Sequence, residues 1–364
     1  MRKLLIIILL LAPFQVFAQV EDNPNTYFRA EVLEILEERE NELGSGEKVV
    51  QQNLLLLSLE GEYVDKEFEF IGIDDFGVIG QTLYETGDKV LVVASLDYEG
   101  NTAFYVTDYV RTGSMWWLFI IFVLSILVVG RWKGLRSLLS LALSFLVIIK
   151  YLIPKILAGS NPIVITLISS FIILLVVIYL TEGLNTLSHL SFVSILLSLV
   201  VTVFISWFFV TAAKLTGVAS EEVAHLINIG EGVVNFRGLL LAGIIIGTLG
   251  VLDDVIISQV ATVREISGAN KKLKFKQVYK RAHAVGTSHI ASMTNTLFLA
   301  YVGVSLPLLI LFGSGESAFG TFGQVVNNEA IATEIIRTLA GSIGLILSVP
   351  LATVISVWYY TKNV

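Results

Sequence analysis

Two adjacent aspartates stand inside an otherwise apolar run, Gly247-Thr-Leu-Gly250-Val-Leu-Asp253-Asp254-Val-Ile-Ile-Ser258. At the centre of a membrane helix each costs about 2.5–3.5 kcal/mol to insert, so the pair must face protein or water. Neighbours on a helix diverge by about 100°, so the two carboxylates cannot share a direction. Asp254 shares a helical face with Gly243, Gly247, Gly250 and Ser258, a small-residue stripe of the kind that lets membrane helices approach closely. Asp253 points toward another neighbour or a water-filled cavity.

A second polar set lies downstream. Ser288, Ser292 and Asn295 line one face of the next apolar segment, with His289 and Thr296 beside it. Asp254 is nine residues from the end of its segment (Val263) and Asn295 eleven from the start of its own (Ala284), so antiparallel packing would bring them to similar heights. Further on, Glu334 and Arg337 stand at i, i+3, where they can pair and lower each other's insertion cost. Carboxylates, an amide and hydroxyls in a bilayer are the chemistry of cation or proton coordination, and such groups mark ion and proton paths. The alternative is that Asp254 and Asn295 bind two helices together, an interaction contributing about 0.6–2 kcal/mol. His189 and His283 read as interfacial residues rather than ligands.

These residues need elements that cross a membrane, and the composition supplies them. The chain is 55% hydrophobic and 15% charged, with mean hydropathy +0.79. Soluble domains carry about 25% charged residues. Apolar runs of about 20 residues match a hydrocarbon core of about 30 Å. Candidate spans are residues 114–130, 135–156, 163–180, 190–212, 239–263, 284–312 and 331–360, the last two long enough to tilt or kink, with Pro307 and Pro350 as the bend points.

Charge sets their direction. Arg131, Lys133 and Arg136 follow the first candidate span; Arg264, Lys271, Lys272, Lys274, Lys276, Lys280 and Arg281 follow the fifth. With four spans between them both groups lie on one side, which the positive-inside rule makes cytoplasmic. Seven spans then put the C-terminus inside and the N-terminal domain outside, in the plasma membrane. Lys150 and Lys155 sit toward the outer end of the second span, and Trp116, Trp117, Trp358, Tyr359 and Tyr360 suit interfacial belts.

The N-terminus agrees. Met1-Arg2-Lys3 is a basic start, residues 4–11 an apolar core, and Val16-Phe17-Ala18 offers a cleavage site, a signal peptide over residues 1–18. A retained signal anchor is the alternative. Residues 19–113 follow as an exported domain with 21 acidic and six basic residues, a net −15. The other 18 basic and ten acidic residues leave the rest of the chain at +8. Strand candidates are 27–38, 49–58, 62–73, 89–97 and 102–110, separated by turn signals such as Gly44-Ser45-Gly46, Asp74-Asp75-Phe76-Gly77, Thr86-Gly87-Asp88 and Tyr98-Glu99-Gly100-Asn101. In Lys66-Glu67-Phe68-Glu69-Phe70 the aromatics alternate onto one face. Short strands in so few residues suggest a small barrel of OB or SH3-like kind. Its acidity repels phosphates and excludes nucleic acid as a partner; a cation or a basic envelope protein fits, as does a merely solvated surface. The expected architecture is therefore an all-α membrane bundle of about seven helices (residues 114–364) preceded by a small β-barrel-like domain.

With no cysteine there is no disulfide or thiolate chemistry, and no P-loop, HExxH or GxSxG motif occurs. No enzyme activity, cofactor or bound metal is expected. The lipid bilayer is the one sure partner, with a solute or ion, an envelope protein or a second copy as further candidates.

Three stretches are long and specific. They are Arg237-Gly-Leu-Leu-Leu-Ala-Gly-Ile-Ile-Ile-Gly-Thr-Leu-Gly-Val-Leu-Asp-Asp254, then His289-Ile-Ala-Ser-Met-Thr-Asn-Thr-Leu-Phe-Leu-Ala-Tyr301 with Ser305-Leu-Pro307-Leu-Leu, and Glu334-Ile-Ile-Arg-Thr-Leu-Ala-Gly-Ser-Ile-Gly-Leu-Ile-Leu-Ser-Val-Pro350. Together they resemble the YibE/F family of bacterial membrane proteins, over about residues 20–362 and most strongly from Arg237. The resemblance places Asp254 at the family's aspartate and Asn295 at its asparagine, whereas Asp253 replaces a usually apolar residue. It implies a multi-pass membrane protein, described for the family at most as a permease without an assigned substrate. Two functions compete: a transporter of an ion or small polar solute, with Gly247 and Gly250 permitting local unwinding, and a non-transporting envelope scaffold or sensor whose exported domain binds a partner. The absence of an internal repeat counts modestly against a symmetric transporter.

Overall fold

The computed structural model describes residues 26–42, 48–73, 83–96, 102–219, 223, 226, 234–314 and 321–362. The signal-peptide expectation and the turns at 44–46, 74–77 and 98–101 lie outside these residues. The chain divides into two compact units, with a boundary between Val128 and Val129.

In the first unit five strands form one sheet: β1 (Thr26–Glu42), β2 (Lys48–Ser58), β3 (Glu67–Ile71), β4 (Lys89–Leu96) and β5 (Thr102–Tyr109), in the order β3-β2-β1-β4-β5 with every neighbouring pair antiparallel. Alternation builds its core. Phe28, Ala30 and Val32 of β1 face Leu54 and Leu56 of β2, Phe70 of β3, Val90, Val92 and Ala94 of β4, and Val106 of β5. Phe28, Leu54 and Leu56 are completely buried, and each such side chain contributes about 1.5–3 kcal/mol. The alternation expected at Lys66–Phe70 holds, with Glu67 and Glu69 outward and Phe70 inward. Residues 62–66 are a correction. Gly61–Tyr63 forms a 3-10 turn, and Gly61 (φ 80°) and Asp65 (φ 60°) take a left-handed backbone that no strand accommodates.

The sheet curls without closing, a half-barrel rather than the barrel expected. Its edge strands β3 and β5 approach through the rings of Phe68 and Phe104, 4.4 Å apart, but exchange no ladder hydrogen bonds among the described residues. Strand β1 outruns the sheet. It pairs with β4 only over Thr26–Glu31 but with β2 over Ala30–Glu42, so its far half and the start of β2 form a two-stranded ribbon.

The helices are α1 (Thr112–Val147), a π-helical turn (Ile148–Leu152), α2 (Ile153–Leu157), α3 (Pro162–Thr181), α4 (Thr186–Ala212), α5 (Phe236–Ala269), α6 (Phe275–Val304), α7 (Leu306–Gly313), α8 (Phe322–Asn327) and α9 (Glu329–Lys362). The α1 backbone leaves helical geometry at Arg131 (φ 47°, ψ −125°). The π-helical turn ends just before Pro154, which has no N–H to offer and crowds the carbonyl one turn back. Asparagine side chains cap three helices: Asn161 accepts from Ile163 N at 3.0 Å, Asn185 from Ser188 N at 3.1 Å, and Asn235 from Gly238 N at 2.9 Å.

Five helical stretches are long and apolar enough to cross a membrane: Thr112–Leu157, Pro162–Thr181, Thr186–Ala212, Phe236–Ala269 and Glu329–Lys362. A sixth arises if α6 and α7 count as one span, although they bend by 65°. The bend lies at Ser305, before Pro307 in the first turn of α7, and α9 runs unbroken through Pro350.

Contacts within the second unit set helix direction. A methyl group on Gly238 would lie 3.1 Å from Pro162 Cδ, so α3 and α5 begin together. At the same end Arg237 Nε donates to Leu215 O at 3.0 Å, and Glu329 Oε1 accepts from Thr216 N at 2.6 Å and Gly217 N at 3.0 Å. At the opposite end Lys133 pairs with Glu182 at 3.6 Å, and Val263, Val278, Ala282 and Val357 join α5, α6 and α9. Lys133 and the basic stretch after α5 therefore share one end of the bundle, as the charge pattern requires.

Candidate functional site

The core of the second unit lies between α3, α4, α5 and α9, and Leu252, Val255 and Ile256 of α5 point into it. That leaves Asp254 exposed on the far side of α5 and Asp253 half-buried. Asp253 Oδ1 accepts from Asp254 N at 2.9 Å, so this carboxylate is held against its own helix. Asp254 shares its exposed face with Gly243, Gly247, Gly250 and Ser258. Among the described residues the face meets no helix at Gly243 or Gly250, where an added methyl would find nothing within 4 Å, and at Gly247 it meets the Tyr301 hydroxyl at 3.0 Å. The close approach expected of this stripe is made elsewhere.

It is made between α4 and α9. Ser194, Ser198, Thr202 and Ser206 on α4 and Ala340, Gly344, Ser348, Ala352 and Ser356 on α9 recur every fourth residue, and all are buried. A methyl on Gly344 would overlap the side chain of Thr202. Three of the hydroxyls donate within their own helix, Ser198 to Ser194 O at 2.8 Å, Thr202 to Ser198 O at 2.9 Å and Ser206 to Thr202 O at 2.8 Å. The sequence reading missed this seam, although its four-residue period of small residues was a readable signal.

Gln259 was also missed. It is 2% exposed, and its amide joins three helices by donating to Ala282 O at 3.0 Å and Thr353 Oγ1 at 2.7 Å. Gly286 makes room for it, since a methyl there would lie 2.7 Å from Gln259 Oε1 and 2.5 Å from Val349 Cγ1. A neutral amide in an apolar run is a weaker signal than a charge, but it was visible.

These contacts also set the register of α5 against α6. Gln259 meets Ala282 and Gly286, while Thr248 and Leu297 both meet Gly341. Antiparallel helices in this register put Asp254 level with His289 and Ile290, and Asn295 about one turn away, near Gly250. Ser288, Ser292, Asn295 and Thr296 lie on the exposed side of α6, with Thr296 donating to Ser292 O at 3.1 Å. Among the described residues no hydrogen bond joins Asp254 to Asn295, and no ion pair involves either aspartate.

Glu334 and Arg337 are brought together, with Nη1 3.2 Å from Oε1 and both side chains about three-quarters buried. Glu334 Oε2 and Arg337 Nε are enclosed without partners, and Tyr301 lies within electrostatic reach of both. Tyr301 was missed as a site residue though it ends one of the specific motifs. His189 and His283 make local contacts. His189 Nδ1 meets the Tyr179 hydroxyl at 2.8 Å, and His283 stacks on Tyr279 with centroids 5.3 Å apart. Among the described residues no group of three His, Cys, Asp or Glu is disposed to hold a metal.

Asp254 thus stands near mid-span, about 4 Å beyond the centre of the apolar run 239–263, on a face of α5 turned away from the core, with the half-buried Asp253 on its flank. Compared with known families, residues 118–362 match the model for YibE/F-like proteins. No curated protein and no solved structure matches the chain.

Proposed function

This chain belongs to the YibE/F-like family, and we propose that it moves a cation, a proton or a small metal ion, across the plasma membrane along the polar face of α5 and α6. The observation that carries this reading is the placement of Asp254. Among the described residues its carboxylate accepts no hydrogen bond from a neighbouring helix, which speaks for a binding role over that of helix glue. Uncovered in hydrocarbon it would cost about 2.5–3.5 kcal/mol, which water or a bound cation offsets. Asp254 is the binding carboxylate in this proposal. His289 sits at its level, Asp253 adds a second carboxyl group, and Ser258, Ser292, Asn295 and Thr296 supply neutral oxygens along the exposed sides of α5 and α6.

The topology that goes with it has seven spans. Thr112–Leu157 is 46 residues, about 69 Å as a continuous helix and more than twice a hydrocarbon core. The break at Arg131 divides it into two spans, and α6 with α7 makes one. The basic end is cytoplasmic and the strand domain exported. The half-barrel is of OB type, with β3 and β5 as the pair at which it would close.

Purified protein in liposomes tests the function directly. A pH gradient or a gradient of sodium, potassium or magnesium should drive flux, and Asp254→Asn should reduce it at least about tenfold with the protein still folded. Asp253→Asn should cost less. Full flux from a folded Asp254→Asn protein would remove the proposal.

One observation favours a second reading, an envelope scaffold. The ribbon beyond the sheet carries Glu34, Glu37, Glu38, Glu40 and Glu42 against Arg39 and Lys48, an extension suited to a basic partner. Absence of flux for every cation from wild-type protein would leave that reading standing.

A further inference from the structure

The basic stretch entering α6 has a chemistry beyond setting orientation. Lys271, Lys272, Lys274, Lys276, Lys280 and Arg281 place six cations in eleven residues, all exposed. Carboxylates at this end are spoken for, Glu182 by Lys133 at 3.6 Å and Glu265 by Arg264 at 3.0 Å. Among the described residues none of the six cations makes an ion pair.

Their position is fixed by packing. Val278 and Ala282 are 1% and 0% exposed and seat this part of α6 against Val263 of α5 and Val357 of α9. Lys276 and Lys280 lie about 140–180° around the helix from that buried face. Phe275, Tyr279 and His283 stack in a ladder beside them, with ring centroids 6.3 Å and 5.3 Å apart and planes within 7° and 11° of parallel. The helix continues without a break into the apolar run that starts near Ala284. At about 1.5 Å per residue, Arg281 and Lys280 stand about 5–6 Å outside the hydrocarbon and Lys276 about 12 Å. The headgroup layer is about 5–7 Å deep and its potential extends a further 8–10 Å, so all three are within its field.

We propose that this surface binds the phosphate headgroups of anionic phospholipids in the adjoining leaflet. Unpaired cations held at headgroup height beside an aromatic ladder complement such lipids in charge and depth. The surface is distinct from the Asp254 face and does not depend on transport.

Full-length protein in neutral-detergent micelles, titrated with phosphatidylglycerol, phosphatidylcholine or inorganic phosphate and read by native mass spectrometry, tests it. Phosphatidylglycerol should bind at least about tenfold tighter than phosphatidylcholine, and added salt should weaken it. Affinity should fall about fivefold for each cation removed, the ratio that about 1 kcal/mol per cation implies, in the series K280Q, K276Q/K280Q and K272Q/K276Q/K280Q/R281Q. Lysine-to-arginine versions should bind like wild type. Equal binding of the two lipids, or undiminished phosphatidylglycerol binding by the quadruple variant, would overturn the proposal. So would inorganic phosphate competing at the same concentration as lipid, since the site would then take any phosphate. If the quadruple variant fails to fold, lipid selectivity and salt dependence of the wild type decide alone.

Discussion

Two faces of the bundle carry small and polar residues at helical spacing, and the structure treats them in opposite ways. Between α4 and α9 serines, a threonine, alanines and a glycine interlock until they are completely enclosed. Along α5 a similar row of glycines with Asp254 and Ser258 meets almost nothing. The difference is charge and partner. A serine or threonine in a membrane helix satisfies its hydroxyl by donating to the carbonyl one turn back, as Ser198, Thr202 and Ser206 do, and so becomes a small packing residue. A carboxylate has no proton to donate and no such internal remedy. Spacing shows that two helices can approach, but a matching row on a second helix is what makes them do so.

Crowding the closed seam should have the largest effect. Gly344→Val forces a branched side chain into Thr202 and is expected to cost about 3 kcal/mol, the upper end for overpacking, seen as a lowered melting temperature in detergent. Gly250→Val on the open face should stay within about 0.5 kcal/mol, since nothing lies where its side chain would go. Equal losses would show that a neighbour covers the α5 face after all.

An intermediate loss is expected at Gln259, which belongs to the closed region though it adjoins the open one. Gln259→Leu removes bonds to Ala282 O and Thr353 Oγ1, and about 1–2 kcal/mol should be lost in the same melting assay. Thr353 keeps its own bond to Val349 O at 2.6 Å, which limits the damage. Asp254→Asn should change the melting temperature little, by less than about 0.5 kcal/mol, because its carboxylate makes no bond to another helix. A large loss there would return Asp254 to the role of helix glue.

The smallest effect belongs to the strand domain. Glu60 is held below the ordinary glutamate range by its hydrogen bond from Arg29, against the opposing effect of burial. A lowered carboxylate contributes stability above its unfolded value, about 4.3, and loses it as the pH falls through the folded value. Both side chains are well exposed, 50% for Arg29 and 39% for Glu60, so screening holds the contribution to about 0–1 kcal/mol. Urea melts of the full chain at pH 7 and pH 3 should show Glu60→Gln losing that increment at pH 7 and differing less from wild type at pH 3.

Much of this was legible residue by residue. A strand needs only alternation, so Phe68 and Phe70 marked β3 correctly, and Thr86-Gly87-Asp88 marked a turn that uses Gly87 at φ 94°. Apolar runs located the helices because the bilayer demands length and composition before any partner is known. The bases of Arg131–Arg136 and Arg264–Arg281 implied a shared end for the same reason, and the contacts of Lys133 and Gly238 bear this out. The ion pair Glu334–Arg337 follows from i, i+3 spacing alone.

Tertiary structure alone decided which rows of small residues meet. Gly243-x-x-x-Gly247 and Ala340-x-x-x-Gly344 look alike as text, and only the presence of Thr202 opposite the second separates them. Depth was subject to the same limit. Counting from apolar boundaries put Asp254 and Asn295 at similar heights, but those boundaries are softer than a helical turn. The register came from Gln259 lodging against Gly286, and from Thr248 of α5 and Leu297 of α6 both meeting Gly341, which brought His289 to the level of Asp254 instead. Composition and period are properties of one helix and can be read along it. Register and coverage belong to pairs of helices, set by side-chain volumes across the gap, and no single segment contains them.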